Sequence, residues 1–334
     1  MKPKHVKTVD WYHYNALFFM DHILGRRYFQ QFFGRNKAAL FAKVDKYLKG
    51  TEDFTVHSIE ELPADISDSD FLDLCYKSGK PIVFRGAAKN WPAIQNWSLD
   101  FFEKHHGDKI IELIDHQGMA PGQEKEIMTM KKYIHEIRNG SRKYLKFSDI
   151  VNEDVNLKSD FDLKWLRKLT NLPLSWGEDL KTFMGIGGTI TPLHIGFSSV
   201  FFIQVTGQKK WHFYPPTDRM FLDAWTERGT AMFSDADPYK KEDPAFPLFK
   251  YAKHSTVVLN PGDVLWFPSY TWHQVENLTL SIGIRYGRPS IATSWKSSKL
   301  LTFLFFMITK PNLFSHLYNN VFRKGLVVKK LPNE

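Results

Sequence analysis

Two histidines in the second half of this sequence belong to a residue type that can bind a metal ion. His194 lies in the segment TPLHIG and His273 in the segment SYTWHQVENL, both among residues that favour strands. Neutral imidazole is the commonest metal ligand among side chains, although a histidine taken alone is more often structural. The two residues are 79 positions apart and therefore belong to different strands, which the interior of a β-barrel can bring together.

The segment VTGQKKWHFYPP contains two adjacent lysines, and one of them can lie inside a β structure. Successive side chains of a strand point to opposite faces, so only one of Lys209 and Lys210 faces inward. Lys209 shares its face with Trp211 and Phe213, and this apolar company predicts that Lys209 is the buried one. Lys210 then faces outward together with His212, which makes His212 a poor third metal ligand.

These candidates lie in a region dense in predicted strands. From Thr182 to Tyr286 there are about seven short β-type runs, including FFIQV, KWHFYP, STVVL, VLWFP and LSIGIRY, separated by the turn sequences TGQK, PPTD and NPGD. Such spacing predicts an all-β barrel or sandwich. Upstream, PIVFR from Pro81 and IIELI from Ile110 also predict short strands.

Both ends of the chain are basic and aromatic. Residues 1–50 carry aromatic side chains at three- and four-residue steps, which predicts one or two amphipathic helices that either cap the main domain or lie on a membrane surface. The apolar run from Leu300 to Ile308 is too short to span a bilayer, which needs about 20 residues. The basic stretch from Phe314 to Lys330 either docks beside the first helices or mediates a homodimer.

Charge and cysteine content limit the classes of partner and compartment. Residues 1–50 carry a net charge of +7 and residues 301–334 carry +4, so the segment between them carries −2 and a nucleic-acid groove in the core is not indicated. Cys75 is the only cysteine, and the start of the chain lacks the pattern of a secretory signal. We therefore expect a cytoplasmic protein, with peripheral membrane contact through the termini left open.

Three segments, TPLHIG, VTGQKKWHFYPP and NPGDVLWFPSYTWHQVENL, resemble in order and spacing the core of the JmjC and cupin-like oxygenases, a family that includes asparaginyl hydroxylases and histone demethylases. The resemblance covers roughly residues 80–288. It implies a mainly β core, a double-stranded β-helix of the cupin or jelly-roll type, with an N-terminal α/β extension and C-terminal helices. We accordingly divide the chain into an N-terminal helical extension (1–60), the catalytic core (61–288) and a helical tail (289–334).

The resemblance also implies a set of site residues. His194 and His273 match the iron(II) ligands, and Lys209 and Thr191 match the residues that pair with the distal carboxylate of 2-oxoglutarate. Arg285 falls where many relatives carry an inward asparagine, so it either adds positive charge to the pocket or pairs with Asp263. The implied cofactors are iron(II), 2-oxoglutarate and O2, and the implied substrate is a small molecule or a protein side chain.

One position departs from the family pattern. The family motif is His, any residue, then Asp or Glu, whereas here His194 is followed by Ile195 and Gly196, so the ligating carboxylate is missing. In the wider superfamily, radical halogenases replace this acid with Gly or Ala, and chloride or bromide then binds the iron directly. Gly196 therefore predicts a halide site and halogenation of an unactivated C–H bond.

Two alternatives to halogenation stay open. A carboxylate from elsewhere in the chain, or water, completes the iron site and the protein is a hydroxylase; the nearest acid downstream of the first histidine is Asp218. Alternatively, the fold has lost its metal and acts as a binding module. The persistence of both histidines together with Thr191 and Lys209 argues against that second alternative.

Overall fold

The computed structural model describes residues 2–77, 79–113, 125–170, 172, 174–226 and 231–308. Helices surround a β core and lie mainly before and after it along the chain. The α-helices are α1 (Thr8–Leu24), α2 (Arg26–Leu48), α3 (Asp68–Phe71), α4 (Pro92–Asn96), α5 (Leu99–His106), α6 (Met130–Arg138), α7 (Ile150–Glu153), α8 (Val155–Ser159), α9 (Leu163–Thr170), α10 (Ile291–Ser297) and α11 (Lys299–Ile308).

The strands concentrate between residues 179 and 288, where the sequence predicts them. They are β1 (Val56–Ser58), β2 (Glu60–Leu62), β3 (Ile82–Phe84), β4 (Ile110–Leu113), β5 (Glu126–Thr129), β6 (Leu145–Ser148), β7 (Asp179–Gly185), β8 (Ile190–Ile195), β9 (Ser199–Thr206), β10 (Lys209–Tyr214), β11 (Trp225–Thr226), β12 (Met232–Phe233), β13 (His254–Leu259), β14 (Val264–Phe267), β15 (Trp272–Asn277) and β16 (Ser281–Arg288). The predicted IIELI strand corresponds to β4, and Ile114 lies outside the described residues.

Two mixed sheets form the core. In the described residues, one sheet has the order β1-β13-β10-β15-β8-β12-β11 and the other has the order β2-β3-β14-β9-β16-β7-β6. Because consecutive strands such as β8 and β9 belong to different sheets, the chain alternates between the sheets, as in a jelly roll. The predicted double-stranded β-helix with N-terminal and C-terminal helices is confirmed.

The space between the sheets is filled by inward side chains from both. The alternation predicted for β10 holds: Lys209, Trp211 and Phe213 face this interior, and His212 lies on the outer face, where its ring stacks on that of His254. The apolar members of the interior cluster are Ile59, Val83, Tyr144, Phe183, Val200, Phe202, Trp211, Phe213, Val257, Leu259, Leu265, Phe267 and Val275.

The N-terminal helices pack on the core through α1 and α2. The Tyr14 hydroxyl donates to the Arg219 carbonyl at 3.0 Å, and the Arg219 guanidinium lies 4.3 Å from the centroid of the Trp11 ring. The opposite face of α1 stays exposed, with Val9 and Tyr12 66% and 69% accessible. The helices predicted from the aromatic spacing are therefore present, and their contact with a membrane stays a prediction.

The C-terminal helices α10 and α11 continue directly from β16. The Phe305 ring of α11 stacks on Phe197 with a centroid distance of 3.8 Å, which anchors α11 beside the end of β8. None of the described helices combines the length and the apolar character that a membrane span needs. The basic stretch 314–330 lies outside the described residues, so its role in docking or dimerisation stays a prediction, as does the division of the chain into three segments.

Candidate metal centre

The two candidate ligands are direct neighbours in the folded chain. His194 on β8 and His273 on β15 are paired across antiparallel strands, and their ring centroids are 4.1 Å apart. Both side chains point between the sheets, and each residue is 8% exposed. The register of β8 and β15 thus brings together two imidazoles that are far apart in sequence.

Backbone carbonyls fix the tautomer of both rings. Nδ1 of His194 lies 2.7 Å from the Pro192 carbonyl oxygen, and Nδ1 of His273 lies 2.9 Å from the Thr271 carbonyl oxygen. A carbonyl can only accept, so each Nδ1 carries the proton and each Nε2 keeps its lone pair. This is the arrangement by which proteins orient histidine ligands for a metal.

The surroundings keep both imidazoles neutral. Burial, together with the positive charges of Lys146 and Arg285, lowers the pKa of His194 to about 4. Burial and the adjacent His194 hold the pKa of His273 well below its usual value. Metal ligation requires the unprotonated ring, so both residues are available as ligands at neutral pH.

Gly196 leaves open space beside the two histidines. A Cβ built on Gly196 meets no heavy atom within 4 Å. The Gly196 carbonyl accepts a hydrogen bond from the Tyr270 N–H at 2.9 Å. The residue lines a cavity of about 240 Å³, hereafter the metal cavity, together with Thr191, His194, His273 and Arg285. An aspartate side chain could therefore be accommodated at this position, and its absence is not imposed by crowding.

No described carboxylate takes the place of the missing one. Within the described ranges there is no group of three His, Cys, Asp or Glu side chains that could hold a metal ion. Asp218 is buried outside the metal cavity, where its carboxylate accepts the Lys253 N–H at 2.8 Å. The described donor set for a metal is therefore two neutral imidazoles and an open position.

Lys209 lies behind the lining of the metal cavity, in a buried polar cluster that the sequence only partly predicts and that meets the cavity at Tyr144 and Thr191. We call this side of the cavity the closed end. Its Nζ donates to the Tyr144 hydroxyl at 3.1 Å and to the Asn277 side-chain oxygen. Asn277 in turn donates to the Thr189 hydroxyl at 2.6 Å, and Thr191 bonds to the Tyr144 hydroxyl. Thr191, Lys209 and Tyr144 thus converge on the same end of the cavity.

Burial disfavours the charged form of Lys209. It lowers the pKa of Lys209 to about 7, with a further contribution from the positive charge of Lys146. Burial also raises the pKa of Tyr144 to about 12. An acidic ligand placed against these groups would restore the full charge of the lysine, because an opposite charge favours the protonated form.

Glycines on β16 make room for the two cations of the site. A Cβ at Gly283 would lie 2.4 Å from the Phe202 ring and 3.2 Å from Cε of Lys209. A Cβ at Gly287 would lie 2.4 Å from the Arg285 guanidinium. A side chain at Gly283 would therefore displace the buried Phe202 ring, whereas one at Gly287 would only require the flexible Arg285 side chain to move.

Arg285 lines the metal cavity but does not pair with Asp263. Its Nη1 lies 2.9 Å from a carboxylate oxygen of Asp179, the residue at the start of β7. Asp263, which directly precedes β14, instead forms an ion pair with Arg85, whose Nη1 lies 2.7 Å from its Oδ2. Of the two alternatives for Arg285, the pair with Asp263 is wrong, because Arg285 lies beside Asp179 and Asp263 beside Arg85. The other alternative, a positive charge in the pocket, agrees with the place of Arg285 in the cavity lining.

Two residues of the site are not found from motifs. Tyr144 and Lys146 lie at β6, before the family-like segments; Lys146 is 3% exposed, and its Nζ is 5.1 Å from the Tyr144 ring centroid. Their alternation in the segment KYLKFS is the only signal in the sequence that they share a face. That signal is weak, since the described pairing that joins β6 to its sheet is a long-range one with β7.

Backbone strain occurs at two residues that line the metal cavity. Phe147 and Tyr270 have φ of 55° and 61°, in the left-handed region that bulky residues rarely adopt. Phe147 packs edge-on against Phe183 with a centroid distance of 4.9 Å. Such strain is typical of functional sites, where the surrounding structure holds a side chain in place.

Comparison with known proteins gives the family. The model of the cupin-like domain matches residues 68–295. Lysine-specific demethylase 8 of Danio rerio is 26% identical over 229 residues, 65% of this chain and 54% of the relative. Lysine-specific demethylase JMJ30 of Arabidopsis thaliana is 24% identical over 234 residues, 68% of this chain and 54% of the relative.

A second kind of relative matches a shorter stretch. HSPB1-associated protein 1 of Mus musculus is 36% identical over 107 residues, 30% of this chain and 22% of the relative. The chain spans about half the length of the demethylases that it matches. Because the family model covers most of the chain and the core has the expected jelly-roll topology, the chain belongs to the cupin-like domain family, within the JmjC and cupin-like oxygenase superfamily.

Proposed function

We propose that this chain is an iron(II)/2-oxoglutarate-dependent enzyme that functionalises an unactivated C–H bond. The observation that carries the proposal is the pair of neutral imidazoles, His194 and His273, whose Nε2 lone pairs are left available by the Nδ1 bonds to backbone carbonyls. Imidazole suits iron(II), and open positions beside the ligands are what a co-substrate and O2 require. When bound, iron with 2-oxoglutarate and O2 supplies the oxidation of the C–H bond.

The closed end of the metal cavity supports 2-oxoglutarate as the co-substrate. Lys209, Tyr144 and Thr191 offer an ammonium and two hydroxyls at one place, a donor set suited to a carboxylate. The interior around them is apolar, with Phe202 4.8 Å and Phe213 5.7 Å from Trp211 between ring centroids. These rings exclude water, which strengthens the pairing of the lysine with a bound acid.

Within this class we propose that an exogenous anion, chloride or bromide, binds beside Gly196 and is transferred to the substrate. Gly196 leaves its Cβ direction empty, and Arg285 contributes a positive potential at both histidines. Two neutral imidazoles leave the charge of iron(II) uncompensated, so an added anion stabilises the bound metal. The role of the chain is to hold the metal, leave this position vacant and position the substrate.

Hydroxylation is the second candidate function. The names of the relatives favour it, since two of them are lysine-specific demethylases and therefore act on a lysine side chain. In that case water occupies the position beside Gly196, or a carboxylate outside the described residues does. The substrate is then a protein side chain rather than a small molecule.

The test is an anaerobic titration of the full chain with iron(II) and 2-oxoglutarate, following the metal-to-ligand charge-transfer band with and without chloride or bromide. A band that shifts with halide supports the halide site. A band that ignores halide overturns halogenation and leaves hydroxylation. The absence of any band, in wild type as in a His273→Ala control, overturns the enzyme proposal and leaves a metal-free binding module.

A further inference from the structure

The side of α2 that faces solvent carries aromatic and basic side chains. Tyr28 and Phe32 are 55% and 64% exposed, and Arg27, Arg35 and Lys46 are exposed as well. Tyr28, Phe32 and Arg35 follow one another at steps of four and three residues, and Lys46 lies about five helical turns beyond Tyr28. These spacings place them on one side of the helix. We call this surface, formed by Arg27, Tyr28, Phe32, Arg35 and Lys46, the α2 face.

The α2 face is directed away from the protein core. The opposite side of the helix is buried, and its buried residues are Phe29, Leu40, Phe41, Val44 and Leu48. These side chains belong to the same apolar cluster as residues of β8 and of the segment after β10. The whole helix would have to rotate before a ring of the α2 face could reach the core, so the exposure of both rings follows from the way in which α2 packs.

Helix α1 holds α2 in this orientation. Nζ of Lys43 lies 2.6 Å from a carboxylate oxygen of Asp10, and the Lys7 N–H donates to the Tyr47 hydroxyl at 3.2 Å. The start of α1 therefore lies beside the end of α2, and the two helices run antiparallel. The α2 face is thus one outer surface of a fixed helical hairpin.

The acidic residues of the hairpin do not neutralise the α2 face. Residues 1–50 contain three carboxylates, at Asp10, Asp21 and Asp45. Asp10 and Asp21 are 2% and 3% exposed, and Asp45 pairs with Lys250 at 2.9 Å. Within the part of the chain that the structure describes, the three basic residues of the α2 face form no ion pair, whereas other basic residues of the hairpin do. The exposed charge of this surface is therefore positive.

The arrangement of rings and charges on the α2 face fits a lipid surface. From Tyr28 to Lys46 the face extends for about 27 Å along the helix axis. Aromatic rings are favoured at the boundary between lipid headgroups and acyl chains, and basic side chains are attracted to anionic lipids. A second copy of this chain would present the same positive charge and would be repelled. The charge therefore favours an acidic surface over self-association.

We propose that the α2 face docks the protein peripherally on a membrane that contains anionic lipids. The rings of Tyr28 and Phe32 enter the headgroup region, and Arg27, Arg35 and Lys46 lie against lipid phosphates and carboxylates. The inference goes beyond the proposed function and does not rest on it, because none of these five residues lines the metal cavity.

Docking is tested by co-sedimentation of the full chain with vesicles of phosphatidylcholine, prepared with and without phosphatidylserine. We expect the chain to bind the vesicles that contain phosphatidylserine and to bind phosphatidylcholine alone at least about tenfold more weakly. Binding to the anionic vesicles should weaken as the salt concentration rises, because salt screens the attraction between exposed charges.

A charge variant tests the basic residues of the α2 face. Arg27→Gln/Arg35→Gln should weaken binding to the anionic vesicles by about 30-fold, because each basic residue beside an anionic lipid surface contributes about fivefold. Lys104→Gln/Lys164→Gln removes the same charge from exposed positions on α5 and α9 and should bind as the wild type does.

A second variant tests the rings and keeps every charge. Tyr28→Gln/Phe32→Gln should weaken binding to the anionic vesicles by about tenfold or more, because the rings no longer bury apolar surface among the lipids. Ile110→Thr/Ile127→Thr is the matched control, since both isoleucines are exposed to a similar degree on β4 and β5, and it should leave binding unchanged. Thermal unfolding of each variant verifies that the fold is intact.

Three results would overturn the proposal outright: no binding to the anionic vesicles, equal binding to both kinds of vesicle, or unchanged binding in both α2 variants. Soluble polyglutamate separates a membrane from an acidic protein partner. We expect polyglutamate to bind more weakly than the anionic vesicles and not to displace the chain from them. Polyglutamate that binds as tightly and displaces the chain would mean that the α2 face recognises an acidic protein segment, and membrane docking would be wrong.

Discussion

Two regions of the metal cavity, the closed end and the region of Gly196 and the two histidines, hereafter the mouth, are built in opposite ways. At the closed end, the side chains of Lys209, Tyr144 and Asn277 bond to one another, and Gly283 is required for close packing. At the mouth, the Cβ direction of Gly196 is empty, and no described carboxylate completes the pair of histidines. The closed end thus offers a fixed donor set suited to a small acid, whereas the mouth leaves one position beside the histidines open among the described residues.

The largest effect is expected from His273→Ala, which removes one of the two donors at the mouth. Iron(II) affinity should fall by more than about 100-fold, because even substitutions in the shell around metal ligands cost about 10- to 100-fold. His212→Ala is the matched control, a buried histidine on the outer face of the same sheet. Equal loss in both variants would mean that the metal is bound elsewhere.

Lys209→Met tests the closed end with a side chain of similar length and no charge. Affinity for 2-oxoglutarate should fall by about 30-fold or more, since truncating a buried charge pair costs about 2–5 kcal/mol. Lys210→Met changes the neighbouring residue, which faces away from the interior, and should leave the affinity unchanged. A similar loss in both variants, measured by calorimetry, contradicts the assignment.

Packing at the two ends should respond differently to one added methyl group. Gly283→Ala should lower the free energy of unfolding by about 1–3 kcal/mol, because the new Cβ would overlap the Phe202 ring. Gly196→Ala should change it by less than about 0.5 kcal/mol, since the methyl group enters open space. Urea unfolding of the two variants measures the difference, and equal values would remove the contrast between the two ends.

Gly196→Asp restores a carboxylate at the mouth. Iron(II) affinity should rise by about tenfold, or roughly 1.4 kcal/mol, because the anionic ligand compensates the metal charge. The response of the charge-transfer band to halide should disappear, and halogen transfer should give way to hydroxylation. Ser198→Asp, on the same cavity wall, is the control; halogen transfer that continues unchanged in Gly196→Asp would falsify the halide site.

The smallest effect is a proton coupled to co-substrate binding. Burial lowers the pKa of Lys209 to about 7, and a bound carboxylate raises it, so binding at pH 8 should take up close to one proton. Affinity is then strongest below pH 7 and falls as the pH rises towards 9. Calorimetry in two buffers of different ionisation enthalpy measures the uptake; release of a proton, or no transfer, contradicts this role of Lys209.

The sequence predicts the parts of the site that depend on local pattern. The strand alternation places Lys209 inward with Trp211, and the turn sequences separate the strands of the jelly roll. The motif spacing singles out His194 and His273, which the structure brings side by side. These features follow from the spacing of apolar residues and from the turn residues between strands. Both can be recognised within a short segment.

The features that the sequence does not predict depend on register between distant strands. Tyr144 lines the metal cavity, with Lys146 beside it, because β6 pairs with β7, and nothing in their own segment marks that pairing. Arg285 meets Asp179 because β16 and β7 run antiparallel with Arg285 opposite Lys181. The register of a sheet is set by the whole buried face, so a single segment cannot reveal these partners.

The bare pair of imidazoles also bears on which metal the protein acquires in a cell. Divalent metals bind nitrogen ligands with an affinity that rises from manganese and iron to nickel and copper, and a hard carboxylate is one of the few features that favours the earlier metals. With His194 and His273 as the described donors, the site has little means of rejecting nickel, copper or zinc. Correct loading would then depend on the supply of iron and on the co-substrate that binds with it, rather than on selectivity of the folded chain.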